Sequence, residues 1–227
     1  MKNAHFQRLQ GASMGFLAGY VDTLGFIALF GLFTAHVTGN FVLIAAALAD
    51  PAQTPSLLKL LAFPAFILGV AAARLVVARY EGRETGATRP VYLLQLVLLL
   101  GFMVCGMLDE PVGNTAGSFA FAAGLLGAAA MGAHSAASKL LLTNLAPTSM
   151  MTGNVTQLVI DTVDRLRGAA DEATRARCAK FFWPVFAFAL GCVASAFAYR
   201  AFGFFALAVP NAILVWHLFL SEPQAAQ

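Results

Sequence analysis

Thr38-Gly39-Asn40 stands ahead of the apolar run Phe41-Val42-Leu43-Ile44-Ala45-Ala46-Ala47-Leu48, and the same three residues return as Thr152-Gly153-Asn154 ahead of Val155. Thr and Asn start helices and Gly permits a close approach, so each copy reads as the N-terminus of a short helix, expected over 40–49 and 154–163. A helix of about nine residues is roughly 13 Å long, about half of a ~30 Å hydrocarbon core. Neither copy is long enough to cross a bilayer. The expected fold is therefore an all-α polytopic membrane protein carrying a pair of half-helices in two duplicated halves.

Composition agrees with a membrane environment. The hydrophobic fraction is 59%, the charged fraction 11% and the mean hydropathy +0.76, against about 45–50% apolar and about 25% charged for an ordinary soluble domain. The net charge of +3 is small, and the basic residues cluster between apolar runs, which argues against a nucleic-acid surface and for a role in membrane orientation. Cys105, Cys178 and Cys192 lie within or at the edge of apolar runs without paired spacing, so neither a disulfide framework nor a metal site is expected. No cofactor motif is present either.

Six long segments are expected to cross. The run from Gly11 to Phe33 follows Lys2 and Arg8 and exceeds a signal-peptide core of about 7–15 residues, so it is expected to remain as the first span. Gly11, Gly15 and Gly19 share one face of it, a surface that suits packing within the chain or a dimer equally. Asp22 lies deep in the same run, where a carboxylate costs about 2.5–3.5 kcal/mol unless partnered or facing a wet cavity. A polar turn at 50–55 leads to a span over 57–77, which ends in a run of arginines at 74, 79, 83 and 89. Spans over 91–108 and 116–134 follow, separated by the 109–115 loop. A polar stretch (Ser135, Ser138, Lys139, Asn144, Thr148, Ser149) precedes the second Thr-Gly-Asn, a charged loop occupies 164–180, and spans over 181–199 and 203–220 close the chain before a polar tail.

Further marks repeat. Gly19 and Gly132 precede Thr38 and Thr152 by nineteen and twenty residues, and each Thr-Gly-Asn is followed by an aromatic-Pro pair (Phe63-Pro64, Trp183-Pro184) and a Leu-Gly pair (Leu68-Gly69, Leu190-Gly191). With re-entrant half-helices, twelve of the fourteen Lys/Arg fall on the cytoplasmic side. Were the half-helices to cross fully, the split would fall to eight and six. The positive-inside rule thus favours six crossings plus two half-helices, a 3+3 inverted repeat with halves 1–112 and 113–227 in one membrane domain and both termini cytoplasmic.

Gly19-Tyr20-Val21-Asp22, Phe33 through Asn40, Gly132-Ala133-His134-Ser135-Ala136 and Met151-Thr152-Gly153-Asn154 together resemble the YoaK-like family of bacterial membrane proteins. The resemblance covers nearly the whole chain and implies the fold unit and the bacterial cytoplasmic (inner) membrane. Gly132-Ala133-His134-Ser135 departs from the Gly-aliphatic-Gln-Asn pattern of that family's second repeat.

A half-helix ending in mid-membrane exposes unpaired N–H groups and the positive end of its dipole. The expected site lies between the two tips, built from Thr38, Gly39, Asn40, Thr152, Gly153 and Asn154, with Asp22, His36 and His134 as proton-exchanging groups beside it. Pairing of Asp22 with Lys139 or His134 is one arrangement of these groups. The other reading of each Thr-Gly-Asn is a cap on a helix packed in protein. The expected function is a small-solute transporter or channel, with membrane lipids and an unidentified small solute as partners. The alternative is a non-transporting scaffold or lipid-interacting protein. An intramembrane enzyme has less support, since no metalloprotease, nucleophile-elbow or phosphate-loop motif occurs.

Overall fold

In a computed structural model, described for residues 2–50, 56–82, 86–113 and 116–220, the chain is helical and contains no strand among those residues. The turn at 51–55, Arg83, the end of the 109–115 loop and the tail at 221–227 lie outside them. The helices are α1 (Lys2–Ala28), α2 (Gly39–Ala49), α3 (Leu57–Tyr80), α4 (Thr88–Leu108), α5 (Ser118–Leu140), α6 (Met151–Leu166), α7 (Glu172–Phe202) and α8 (Ala208–Leu220), with a 3-10 turn at Gly203–Leu207 before α8.

Among the described residues, four stretches are long and apolar enough to cross a membrane: α3, α4, α5 and the 49-residue run from Glu172 to Leu220. α1 is 27 residues long, but Tyr20, Asp22, Thr23 and its glycines dilute its apolar content. The burial pattern is that of a protein in lipid. Asp22, Thr34, Asn40, Gln95, His134, Thr148 and Asn154 are buried, while Val42, Leu48, Leu68, Leu75, Phe197 and Phe219 are largely exposed. This is a membrane protein.

α5 lies at the centre. Its small side chains let α3 and α4 pack on opposite flanks, and α1 packs along α7. The closest crossings are made by glycines. A side chain on Gly19 would collide with the Phe188 carbonyl, and one on Gly191 with that of Phe16; likewise Gly132 meets Phe66 and Gly69 meets Ala129. These are the same crossing made twice. Gly132 and Ala129 follow Gly19 and Phe16 by 113 residues, and Gly191 and Phe188 follow Gly69 and Phe66 by 122. Without a hydrophobic drive between helices in lipid, backbone approach of this kind supplies the van der Waals contact that holds them. The Gly11, Gly15 and Gly19 face of α1 is occupied within the chain by Pro184 and Phe188 of α7. The prolines are not in equivalent positions: Pro64 precedes Gly69 by five residues and Pro184 precedes Gly191 by seven.

The short helices differ from each other. Leu32, just after α1, and Leu58, at the start of α3, both pack on Gly124, so the chain through α2 leaves and returns at one end of the bundle. At the other end, Gln7 and Arg8 of α1, Asn144 to Ala146 before α6 and Ala173 to Lys180 of α7 surround one cavity, so the chain through α6 also returns where it left. α2 matches its expected length. α6 does not stop at 163 but runs sixteen residues to Leu166, burying Asn154 and Asp161 against the protein while Val155, Val159, Ile160 and Val163 face outward.

The segment 164–180 is not a single loop. Asp171 caps α7 by accepting the Thr174 N–H at 2.7 Å, so helix begins at Glu172. Nor is 203–220 one helix. Gly203 turns the chain at φ +55°, and Glu110 receives the Phe204 N–H at 2.7 Å, leaving α8 to run back toward Ser13, whose hydroxyl lies 2.8 Å from His217 Nε2.

The glycine crossings set an expected outcome. Gly19→Val or Gly132→Val will abolish recovery of monodisperse folded protein in detergent, because the clash is with backbone. Gly153→Ala meets nothing within 4 Å, and thermal unfolding will show it neutral or more stable by up to about 1 kcal/mol.

Candidate functional site

The segment between α1 and α2 is non-helical, and its N–H groups need acceptors away from water. Asp22 supplies them. Its Oδ1 accepts the N–H of Thr34 at 2.8 Å and of Ala35 at 2.7 Å, while Oδ2 lies 2.6 Å from His36 Nδ1. Since a carboxylate only accepts, the proton of that bond sits on Nδ1, making a short charge-assisted contact. Asp22 is buried, and the His36 side chain is 36% exposed, so the pair connects an enclosed carboxylate to an accessible imidazole.

Around it opens a cleft of about 350 Å³ lined by Asp22, Thr23, Phe26, Phe33, His36, Phe188 and Cys192. The Phe26 and Phe33 rings lie 4.8 Å apart on one side, and the Phe188 ring meets His36 edge-on at 5.7 Å. Asn40 holds Phe33 in place: its Oδ1 accepts the Phe33 N–H at 2.9 Å and its Nδ2 donates to the Phe33 carbonyl at 2.8 Å. The sequence motif therefore works differently from a simple helix cap. Thr38 makes no side-chain capping bond and is exposed; the asparagine braces the preceding segment.

A second polar cluster lies ahead of α6. Asn154 Nδ2 donates to the Pro147 carbonyl at 2.6 Å, seven residues back as in the first half. Proline has no N–H, so the second arm of the clamp is missing. Ser138 Oγ accepts the Thr148 N–H at 3.0 Å, and the Ser135 and Ser149 hydroxyls lie 3.0 Å apart. Ser135 follows Gly132 by three residues, as Asp22 follows Gly19. A neutral hydroxyl thus occupies the place of the carboxylate. His134 is enclosed between Thr148 Oγ1, at 2.9 Å from Nε2, and Gln95 Nε2, at 3.2 Å from Nδ1. With the amide nitrogen as donor, Nδ1 accepts and Nε2–H donates to the threonine.

The expected site residues consequently fall into two groups. Asp22, His36 and Asn40 come together around one cleft, with Gly39 beneath the Phe33 ring. His134 and Asn154 belong to the second cluster, and Thr152 and Gly153 are exposed on α6. α2 and α6 share no contact, so the two Thr-Gly-Asn helices do not form a common site. Asp22 pairs with His36 and not with His134 or Lys139. Among the described residues no group of three His, Cys, Asp or Glu is placed to hold a metal ion. Sequence reasoning missed Gln95, whose lone amide inside an apolar run was a signal, and the aromatic and cysteine walls of the cleft, which carry none.

The profile of the family described as "Protein of unknown function (DUF1275)" matches residues 10–220, which takes in both clusters. The chain belongs to this family. A 64-residue stretch of this DUF1275 member is 41% identical to the UPF0700 transmembrane protein YoaK of Bacillus subtilis (strain 168), covering 28% of each chain. The match thus spans little more than a quarter of YoaK. No solved structure matches the chain.

The two asparagines separate by experiment. Asn40→Ala removes two hydrogen bonds to backbone, at about 1 kcal/mol each, and Asn154→Ala one to backbone and a weaker one to the Met151 sulfur. Thermal unfolding in detergent should show Asn40→Ala as the more destabilised variant.

Proposed function

We propose that this DUF1275 member is a small-solute transporter or channel of the bacterial cytoplasmic membrane, with the Asp22–His36 cleft as its solute site and that pair as a proton-exchanging group. The observation that carries the reading is the second carboxylate oxygen. Bracing the segment at Thr34 and Ala35 occupies only Oδ1; Oδ2 is bonded to a half-exposed imidazole at the edge of an open cleft. Histidine titrates near pH 6.5, so a pair of this kind can take up and release a proton at cellular pH, and intramembrane carboxylates commonly mark ion or solute pathways. The aromatic walls suit a solute with an apolar body.

The reading places six crossings and two re-entrant helices in a 3+3 inverted repeat, with halves 1–112 and 113–227 and both termini cytoplasmic. The duplicated glycine crossing supports the repeat, and the return of α2 and α6 at opposite ends of α1 supports the inversion. The positive-inside distribution supports the orientation. The solute site moves from between the half-helices into the first half alone, because only that half carries the carboxylate and the cleft around it.

The test is proteoliposomes containing the full chain and a trapped pH dye, challenged with gradients of a panel of amino acids, small amines and sugars. The wild type is expected to couple at least one gradient to a pH change. His36→Ala, which leaves the backbone bonds of Asp22 in place, should unfold near the wild-type temperature yet lose that coupling. Asp22→Asn should lose both coupling and stability. Coupling that persists in His36→Ala would remove the proton role from this pair, and absence of any solute-driven signal would overturn transport as the function.

A further inference from the structure

A second cavity, independent of the Asp22 cleft, lies at the end of the bundle where α1 and α7 begin. Its volume is about 510 Å³, and its polar lining is Gln7, Arg8, Asn144, Arg177, Lys180 and the indole of Trp183, with no Asp or Glu. Arg177 is held by Asp161 of α6, through Nε at 2.9 Å and Nη2 at 2.7 Å, which leaves Nη1 without a hydrogen bond among the described residues. Asp161 is itself fully enclosed, so this ion pair fixes the guanidinium at the cavity wall. Neither Arg8 nor Lys180 has a carboxylate partner among the described residues. The cavity therefore holds two uncompensated positive charges, a positioned guanidinium edge and two amide side chains, all able to donate to one oxyanion.

We propose that this cavity binds a phosphate group, with Arg8 and Lys180 supplying the charge, Arg177 Nη1 a directed donor, and Trp183 stacking beside whatever carries the phosphate. The chemistry is common to the headgroup of an anionic phospholipid and to a free phosphate or phosphate ester. A tryptophan at the rim of a basic pocket beside the outward apolar face of α6 suits the lipid source.

Purified full-length protein in phosphatidylcholine nanodiscs, carrying Trp216→Phe so that Trp183 is the remaining tryptophan, reports binding by fluorescence. Three probes are titrated: dioctanoyl phosphatidylglycerol, glycerol 3-phosphate and inorganic phosphate. A saturable response to the lipid alone supports the headgroup source, and one to the soluble phosphates as well supports a soluble ligand. In both cases Arg8→Gln/Lys180→Gln should weaken binding about thirtyfold, at about 1 kcal/mol for each charge lost, while Arg79→Gln leaves it unchanged. Arg8→Lys/Lys180→Arg keeps both charges and should retain binding, which separates loss of charge from loss of fold. No saturable response, or equal responses in the double glutamine and Arg79→Gln variants, would overturn the proposal. Absence of transport would not bear on it.

Discussion

The acceptance of the Thr34 and Ala35 N–H groups by one buried carboxylate is the interaction on which the first half depends. Where the chain stops being helical inside a membrane protein, its N–H groups lose both their intrahelical partners and water. Asp22 restores two of those partners through a single oxygen, and Asn40 closes the segment from its other end on Phe33. Together they hold a short non-helical stretch firmly enough to carry His36 and the aromatic walls of the cleft. A charge that would be costly alone is stabilised by the donors it organises.

A comparable framework stands in the second half of the chain, with other polar groups. Both halves keep the glycine crossing, because any side chain there strikes a carbonyl, and both keep the asparagine that reaches seven residues back. The acceptors at the bend differ: hydroxyls of Ser135 and Ser138 with an enclosed histidine stand where the first half has a carboxylate with a partly exposed one. Packing constrains the positions common to the halves, while the polar groups at the bends vary between them. Of the two bends, only the first is thereby built on a carboxylate.

α2 and α6 also meet different surroundings. Beyond Asn40, α2 is apolar to its end, whereas α6 turns both Asn154 and Asp161 inward and its valines outward. Asp161 anchors Arg177 and so ties α6 to the start of α7, where the basic cavity opens. Arg8, Arg177 and Lys180 thus gather around one cavity at that end.

Several features were legible in the residues alone. Apolar content gave the membrane class, Thr-Gly-Asn marked the starts of α2 and α6 though not the length of α6, and the depth of Asp22 required either a partner or a wet cavity. Each of these follows from local chemistry or from the cost of exposing a group to lipid. The prolines misled, because helix register depends on which face a residue occupies and a two-residue offset turns it away from its counterpart. The separation of α2 from α6, the partner of Asp22 and the basic cavity joining Arg8 to Lys180 were decided by tertiary structure alone. They depend on how helices distant in sequence lie against one another, and an apolar run packs as readily against lipid as against protein, so its composition does not say which neighbour it will have.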